Sequence, residues 1–307
     1  MVELAKQSDS ANLRKPKSDA IYILFLIPVF VVLGFLDFYP IAWTINISLT
    51  NFSEAHFFTF SYVGLRNFYN VLTSPTLSTV IINNIVFAGS SILLMAGLGF
   101  GVALLITQPG LKGKNVFRSL ILVPWAFPAF ITILIWKNLL DQHYGAVNQV
   151  LSLIFHISPN WTGSTPLAMI SVIFVNLWLS LAYYTFVYTA SLQSIPQELY
   201  DAAQMDGYGT LSRVRTIVLP LLSRQIAFIT IFGFIFAWSN FYIPYLLTAG
   251  EPGISTQILI TYSYTEAFSY LSYGVAAVYS IISVLILLVM VIIVNHYSKM
   301  MSILYLG

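Results

Sequence analysis

The feature that most restricts this sequence is a set of six apolar runs, each long enough to cross a lipid bilayer. The runs lie near residues 20–46, 79–107, 117–138, 167–192, 224–248 and 274–296. About 20 residues of helix span the roughly 30 Å of hydrocarbon. Each run must be helical, because lipid offers no hydrogen-bond partner to unpaired backbone groups. The sequence therefore predicts an all-α, multi-pass protein of the cell membrane with six transmembrane helices.

The composition supports a membrane protein and excludes several functions. Only 8% of the 307 residues are charged, whereas a soluble domain carries about a quarter. The net charge of +2 gives no basis for binding nucleic acid, and a chain without cysteine has no disulfide or thiol chemistry. The four histidines lack any metal-ligand spacing, and no GxxxxGK[ST] phosphate loop occurs. We expect no metal site and no enzymatic activity in this chain.

The distribution of positive charge predicts the orientation of the chain. All but two of the 13 Lys and Arg residues lie in the two tails and in the connections near 108–118 and 193–224. The two exceptions, Arg66 and Lys137, lie in the opposite connections. Because positive charge accumulates on the inner side, both termini are expected to be cytoplasmic. The predicted parts are a tail at 1–19, a six-span region at 20–298 with a cytoplasmic loop at 193–223, and a tail at 299–307.

The first apolar run is longer than the core of a signal peptide and lacks a clear cleavage site, so it is expected to be a retained span. Asp37 is the one carboxylate within it. We expect the span to end or kink near Phe38 to Pro40, with Asp37 paired in the bundle or in contact with water. The alternative is an ion or proton relay, which would suit an ion- or proton-coupled secondary transporter or channel.

Residues 194–206 of the cytoplasmic loop are typical of a short surface helix. Ser194 and Gln197 have the spacing of a capping box, and Pro196 is tolerated in the first turn. Gly207 is expected to stop the helix at its C-terminal end. A second short helix is expected at about 210–218, ending before Pro220. Leu199, Ala202 and Ala203 fall on one face of the first helix.

Two interpretations of this helix are open. It could rest on lipid headgroups, but it lacks the basic polar face and bulky apolar anchors of interfacial helices. Its small residues are flanked by Glu198 and Asp201, which lie where the helix dipole favours negative charge. Small residues beside acids suit close approach to a protein that carries basic groups. The residues therefore favour docking to a partner protein.

The segment "DAAQMDGYGTLSRVRTIVLP", residues 201–220, resembles the loop signature of ABC-importer permeases. In that family Glu-Ala-Ala is followed after three residues by Gly, and nine residues later by Ile-x-Leu-Pro. The resemblance implies that the helix docks in a cleft of a separate cytoplasmic ATPase. The residues predicted to couple to that ATPase are Glu198, Asp201, Ala202, Ala203, Asp206, Gly207, Leu219 and Pro220. Asp201 replaces the family's Glu, so a salt bridge to an ATPase arginine would be looser or be made by Glu198.

Three further segments resemble the carbohydrate branch of this family, closest to the larger permease of maltose-type systems. They are "LVPWAFPAFITILIWKNLLDQHYGAVNQVL", "VNLWLSLAYYTF" and "FAWSNFYIPYLLTAG". The resemblance implies a type I importer fold, a second homologous permease, two cytoplasmic ABC ATPase subunits or domains and an extracellular sugar-binding protein. ATP and Mg would be bound by the ATPase partner, so this chain is expected to need no cofactor. Only 32 residues, 47–78, stand where the family member has a large outer insertion.

Polar residues within the apolar runs are candidates for a sugar site. Asn176, Ser180 and Tyr183 recur on one face of the fourth run. From spacing alone they could equally join helices, at about 0.6 kcal/mol per hydrogen bond. The resemblance implies sugar contacts at Thr132, Asn176, Ser180, Tyr183, Gly233, Phe236 and Ala237, and Asn240 of the fifth run completes the predicted site. Ser180, Gly233 and Ala237 depart from the family's residues, which implies a smaller or differently held sugar.

Two minor patterns complete the sequence analysis. Asn-x-Ser/Thr sequons occur at Asn46, Asn51 and Asn160; they are either chance matches or glycosylation sites on the outer side. Gly97, Gly99 and Gly101 form a GxxxG-type cluster in the second run, which predicts close helix packing.

Overall fold

The computed structural model describes residues 19–108 and 110–306, with side chains described for 24–108, 110–294 and 296. These residues are predominantly helical and contain no β-strand, only one antiparallel bridge between Thr50 and Tyr62. The helices are α1 Asp19–Leu33, α2 Tyr39–Ser48, α3 Arg66–Leu72, α4 Pro75–Thr107, α5 Lys114–Leu122, α6 Ala129–Leu139, α7 Ala146–Phe155, α8 Leu167–Gln193, α9 Gln197–Met205, α10 Thr210–Arg213, α11 Leu219–Leu221, α12 Ser223–Trp238, α13 Tyr242–Thr248, α14 Leu259–Phe268 and α15 Tyr273–Leu306. The predicted all-α class is confirmed.

Four helical segments of the described chain are long and apolar enough to cross a membrane. They are Leu24–Ser48, Pro75–Thr107, Leu167–Gln193 and Tyr273–Val294. Two bent pairs, Lys114–Trp125 with Ala129–Leu139 and Thr210–Leu221 with Ser223–Trp238, raise the number to six if each pair is one span. The first, second, fourth and sixth apolar runs thus each form one span-length helical segment.

The third apolar run, predicted as a continuous helix, is broken. The two helical parts meet at an angle of 91° across residues 126–128. Pro128 has no N–H to donate and its own backbone is extended (ψ 133°) at the start of α6. A proline also disfavours helical backbone at the residue before it. The apolar run therefore contains a sharp turn that its composition alone did not reveal.

The fifth run is also broken, between α12 and α13. Side-chain amides pair the backbone groups released there: Asn84 of α4 donates to the carbonyl of Trp238 (3.3 Å), and the Oδ1 atom of Asn240 accepts the N–H of Ile243 (3.3 Å). Irregular backbone is tolerated at membrane depth only where such groups are satisfied inside the protein. The break therefore depends on a distant asparagine.

Two π-helical turns, Gly34–Phe38 and Val214–Val218, each end two residues before a proline. Because Pro40 and Pro220 lack an N–H and crowd the carbonyl four residues earlier, a wider turn accommodates each of them. The first span therefore continues to Ser48. Of the two expectations for Phe38 to Pro40, an end of the span is wrong, and the irregularity there is a π turn within it. The helix expected at 210–218 likewise continues past Pro220.

The chain divides into two compact units, residues 1–47 and 48–307. Three clusters of buried apolar side chains hold the second unit together, and each brings helices that are distant in sequence into contact. Trp238 (1% exposed) belongs to the first cluster, and its indole N–H donates to the Ser283 hydroxyl at 3.0 Å. Phe87 and Leu247 belong to the second cluster, and Tyr188 belongs to the third.

Of the three clustered glycines in α4, only Gly99 has the close packing that was predicted for all of them. A Cβ atom at Gly99 would lie 2.6 Å from the Cβ of Tyr184 in α8, whereas a Cβ at Gly97 or Gly101 would meet nothing within 4 Å. Close approach of α4 and α8 therefore requires glycine at one position.

We expect Gly99→Val to destabilise the protein by about 1–3 kcal/mol, because the added carbons must push α4 and α8 apart. Gly97→Val is the matched control, since it places the same side chain in the same helix facing open space. Thermal unfolding in detergent, followed by size-exclusion chromatography, compares the two. Equal stability of both variants would contradict the packing assigned to Gly99.

Candidate functional site

The helix of the loop 193–223 begins differently from the sequence prediction. Pro196 is the N-cap of α9, with no side-chain capping bond, so the predicted capping box is wrong. Ser194 is the C-cap of α8, and its hydroxyl donates to the carbonyl of Ser191 at 2.7 Å. The Gln197 amide donates instead to the carboxylate of Asp201 at 3.1 Å. Ser194 is thus held at the end of the preceding helix.

The end of α9 agrees with the prediction. Gly207 has a left-handed backbone (φ 78°), and its N–H donates to the carbonyl of Gln204 at 3.1 Å. The N–H of Tyr208 donates to the carbonyl of Ala203 at 2.9 Å. These two bonds form a Schellman motif, in which glycine avoids the steric cost of positive φ. Gly207 therefore stops the helix.

One side of α9 holds the helix to the rest of the unit, and the other side is free. Ala203 is buried (5% exposed), and the half-buried Tyr200 packs against the third cluster. Burial raises the pKa of the Tyr200 hydroxyl, an effect that the charge of Arg213 opposes. Of the predicted docking residues in and directly after α9, the side chains of Glu198, Asp201, Ala202 and Asp206 are exposed, and so is that of Leu199.

The predicted apolar face of Leu199, Ala202 and Ala203 is therefore divided, because Ala203 faces the protein and the other two face outward. Among the described residues, no ion pair neutralises Glu198, Asp201 or Asp206. In α11, Leu219 is exposed and Pro220 is half-buried. The helix α9 therefore has an exposed acidic face, and its opposite face packs against the protein.

A buried polar cluster links α4, α8 and the break in the fifth run. The amide of Asn176, which is 2% exposed, donates to the hydroxyl of Ser91 at 3.0 Å. The amide of Asn240 donates to the Oδ1 atom of Asn176 at 3.4 Å. The structure thus brings together two residues of the predicted sugar site. Sequence reasoning missed Ser91, although a Ser-Ser pair in the middle of the second apolar run was a visible signal.

The remaining predicted site residues have different environments, and none of their side chains has a hydrogen bond to this cluster in the described part of the chain. Thr132 is buried, and its hydroxyl has no hydrogen-bond partner in the described part of the chain. A side chain at Gly233 would overlap the Tyr184 hydroxyl, so this glycine allows close packing. Ala237 belongs to the first core cluster, while Phe236 is 69% exposed.

Tyr183 and Ser180 lie at the accessible side of α8. Ser180 is half-buried and Tyr183 is exposed. The ring of Tyr183 lies 6.1 Å from the ring of Trp125, at the end of the first part of the third run. Trp125 was not among the predicted site residues. An accessible aromatic pair of this kind offers a surface on which the CH face of a sugar could stack.

The fold and these two sites define a multi-pass helical membrane protein with an exposed acidic helix and a buried amide cluster. Residues 94–303 match the family described as "Binding-protein-dependent transport system inner membrane component". The chain belongs to this family and is an integral component of the inner membrane. The resemblance to importer permeases noted in the sequence is confirmed.

Several curated relatives are permease proteins. The maltodextrin transport system permease protein MdxF of Bacillus subtilis is 31% identical over 89% of this chain and 66% of its own length. MalF of Salmonella typhimurium, a maltose/maltodextrin permease protein, is 35% identical over 67% of this chain and 42% of its own. GanP of Bacillus subtilis, from a galactooligosaccharide transport system, is 31% identical over 83% and 64%. The chain thus spans less than two thirds of the length of these relatives.

The fold also matches a solved structure. A chain of a bacterial ABC transporter involved in the import of alginate aligns over 92% of this chain and 96% of its own, with a TM-score of 0.80 and 22% sequence identity. At 22% identity, this structural likeness concerns the fold alone. The predicted fold of an importer permease is therefore supported over nearly the whole chain.

Proposed function

We propose that the chain is the transmembrane permease subunit of an ATP-driven importer for a mono- or oligosaccharide. The observation that carries this proposal is the acidic, exposed face of α9 in a chain of this transport family. On the opposite side of the helix, Ala203 is buried and Tyr200 packs against the third cluster. A separate ATPase, which binds ATP and Mg, docks on that face. The complete assembly comprises this chain, a second homologous permease, two ATPase subunits or domains and an external sugar-binding protein.

A sugar is the substrate class that fits best. The similar permeases named above belong to maltodextrin, maltose and galactooligosaccharide systems. The amides of Asn176 and Asn240 and the ring of Tyr183 supply the hydrogen-bonding and stacking groups that hydroxyl-rich ligands use. Thr132, Ser180, Gly233 and Phe236 complete the proposed site in the alternate conformations of the transport cycle.

The proposed mechanism is alternating access by six spans with both termini in the cytoplasm. ATP-driven closure of the ATPase pair pulls the α9 helices together and opens the pathway outward, and hydrolysis returns it inward. Sites of this kind lie near the midplane, where broken helices meet. The break beside Asn240 gives the fifth run a place to bend. The movement of α9 is transmitted through α10 and α11, which lead directly into this run.

An ion-coupled mechanism receives less support. It requires charged groups inside the membrane to carry the coupling ion. Asp37 is the one carboxylate within the described span-length helices, and it lies exposed in the π turn of the first unit. An ion-coupled mechanism would also leave the exposed acidic face of α9 without a function.

The decisive experiment measures ATP hydrolysis by the gently purified assembly in lipid, with its binding protein and a panel of mono- and oligosaccharides. We expect an ATPase to co-purify and one class of sugar to stimulate its turnover. Absence of any ATPase, together with solute flux driven by an ion gradient, would overturn the proposal.

We expect Asn176→Ala to weaken the apparent affinity for the sugar, because the sugar loses an amide partner. The loss should be about 1–3 kcal/mol, or roughly five- to 150-fold. Ser91→Ala is the matched control, since it removes the hydrogen-bond partner of Asn176 but leaves the amide in place. Uptake of labelled sugar into vesicles separates KM from rate. Unchanged KM and rate in Asn176→Ala would remove this residue from the site.

A further inference from the structure

The helix α7 has three distinct sides. It lies in the connection after α6, at the end of the molecule that the charge distribution places outside the cell. One side faces the protein: Asn148 is 3% exposed, Leu151 is half-buried, and Val147 packs against the second core cluster beside Trp136 and Trp161. This side fixes the helix to the outer end of α6 and α8.

Hydrogen bonds of Asn148 set the rotation of α7 about its axis. Its amide donates to the carbonyls of Gln142 (3.0 Å) and Pro159 (2.8 Å), and its Oδ1 atom accepts the indole N–H of Trp161 (2.8 Å). All the hydrogen-bonding groups of this amide are thus used. The other two sides of α7 are therefore held in defined directions.

The second side is polar and the third is apolar. Gln149, Ser152 and His156 follow one another at helical spacing, and all three are exposed. The third side is an apolar stripe at positions i, i+4, i+7 and i+8, formed by Ala146, Val150, Leu153 and Ile154. Leu153 is 80% exposed. The stripe contains no charged residue, and two more apolar residues at the end of the helix are also exposed, Phe155 in its last position and Ile157 beyond it.

We propose that α7 lies in the membrane interface and inserts this stripe among the acyl chains of the outer leaflet. The helix α6 ends six residues before α7 in the chain and also exposes apolar side chains, among them Phe130, Leu134 and Ile135. Helices that lie in the interface bury an apolar face to a depth of about 5–10 Å. Because α6 tethers α7 at the membrane, this helix needs no basic residues to reach it.

A soluble binding protein fits this stripe less well than lipid does. Such a partner binds and leaves in each cycle, and transient interfaces are about as polar as the rest of a protein surface. An uncharged stripe of this size would face water whenever the partner was absent. Acyl chains cover the stripe at all times. The inference concerns where α7 lies, and it does not depend on which solute is transported.

Spin labels provide a direct test, because the natural chain contains no cysteine. Leu153→Cys reports on the stripe, and the adjacent Ser152→Cys is the matched control on the polar side. The full chain, with the subunits that co-purify, is placed in nanodiscs of phosphatidylcholine, with and without phosphatidylglycerol. We expect the ratio of oxygen to nickel-chelate collisions to be several-fold higher at position 153 than at 152, in both lipid compositions.

Three results would overturn the proposal. Equal ratios at the two positions would place the stripe in water. A label at 153 that is accessible to the chelate alone and becomes protected by the binding protein would assign the stripe to that partner. A label shielded from both oxygen and chelate would mean that another subunit covers it. Val150→Cys is a second reporter on the same stripe, in case the first variant folds poorly.

Discussion

Asp201→Lys is expected to abolish sugar-stimulated ATP hydrolysis while leaving the membrane domain folded. The carboxylate is exposed on the outer face of α9 and bonds only to the side chain of Gln197 among the described residues. Lysine would bring a positive charge against the basic groups proposed for the ATPase. Like charges brought together at an interface cost several kcal/mol. Co-purification of the ATPase and its turnover with sugar measure the loss.

Glu54→Lys is the matched control for charge reversal. Glu54 is also exposed, but it lies in the connection between the first two spans, which the distribution of positive charge predicts to be on the opposite side of the membrane from α9. We expect this variant to retain ATPase binding and sugar-stimulated turnover. If Asp201→Lys also kept both activities, α9 would not be the docking helix.

Asn84→Leu is expected to destabilise the protein by about 2–6 kcal/mol. The Asn84 side chain is fully buried, donates to the carbonyl of Trp238 (3.3 Å) and accepts the N–H of Leu259 (2.9 Å). Leucine has the same branching at Cγ but leaves both backbone groups unpaired, and each unsatisfied buried group costs about 1–3 kcal/mol. Thermal unfolding of the detergent-solubilised chain measures the effect.

Asn138→Leu makes the same chemical change at an exposed position. The amide of Asn138 bonds to the carbonyl of Leu134 within its own helix (2.8 Å), so its removal orphans no buried group. The free energy of unfolding of Asn138→Leu is expected to change by no more than about 0.5 kcal/mol. Similar stability of the two variants would show that the break in the fifth run does not depend on Asn84.

The sequence predicted those parts of the fold that depend on local signals. Apolar length identified the helices α4, α8 and α15, because a continuous run of that length has few other solutions in lipid. Gly207 was recognised as a helix stop because its effect acts over a single turn. The start of α9 was misjudged because Ser194 suits the end of one helix as well as the start of the next.

The breaks in the third and fifth runs could not be recognised from apolar composition. The backbone released beside Asn240 is satisfied in part by Asn84, more than 150 residues away along the chain. Asn176 and Asn240 were each selected as candidates, but their contact with one another required the fold. Ser91 was overlooked because serine in an apolar run is usually a neutral packing residue, even in a pair such as Ser90 and Ser91.

The π turn at Val214–Val218 makes the orientation of α9 depend on the number of residues between the loop and the fifth run. Each residue of an α-helix turns the chain by about 100°. Removing one residue from this turn would restore a regular helix. The deletion would also rotate α10, and α9 with it, by about 100° about the axis of α11. The acidic face would then point away from its present direction. Chimeras that exchange the loop between related proteins should therefore preserve its length up to Pro220, even where the residues themselves differ.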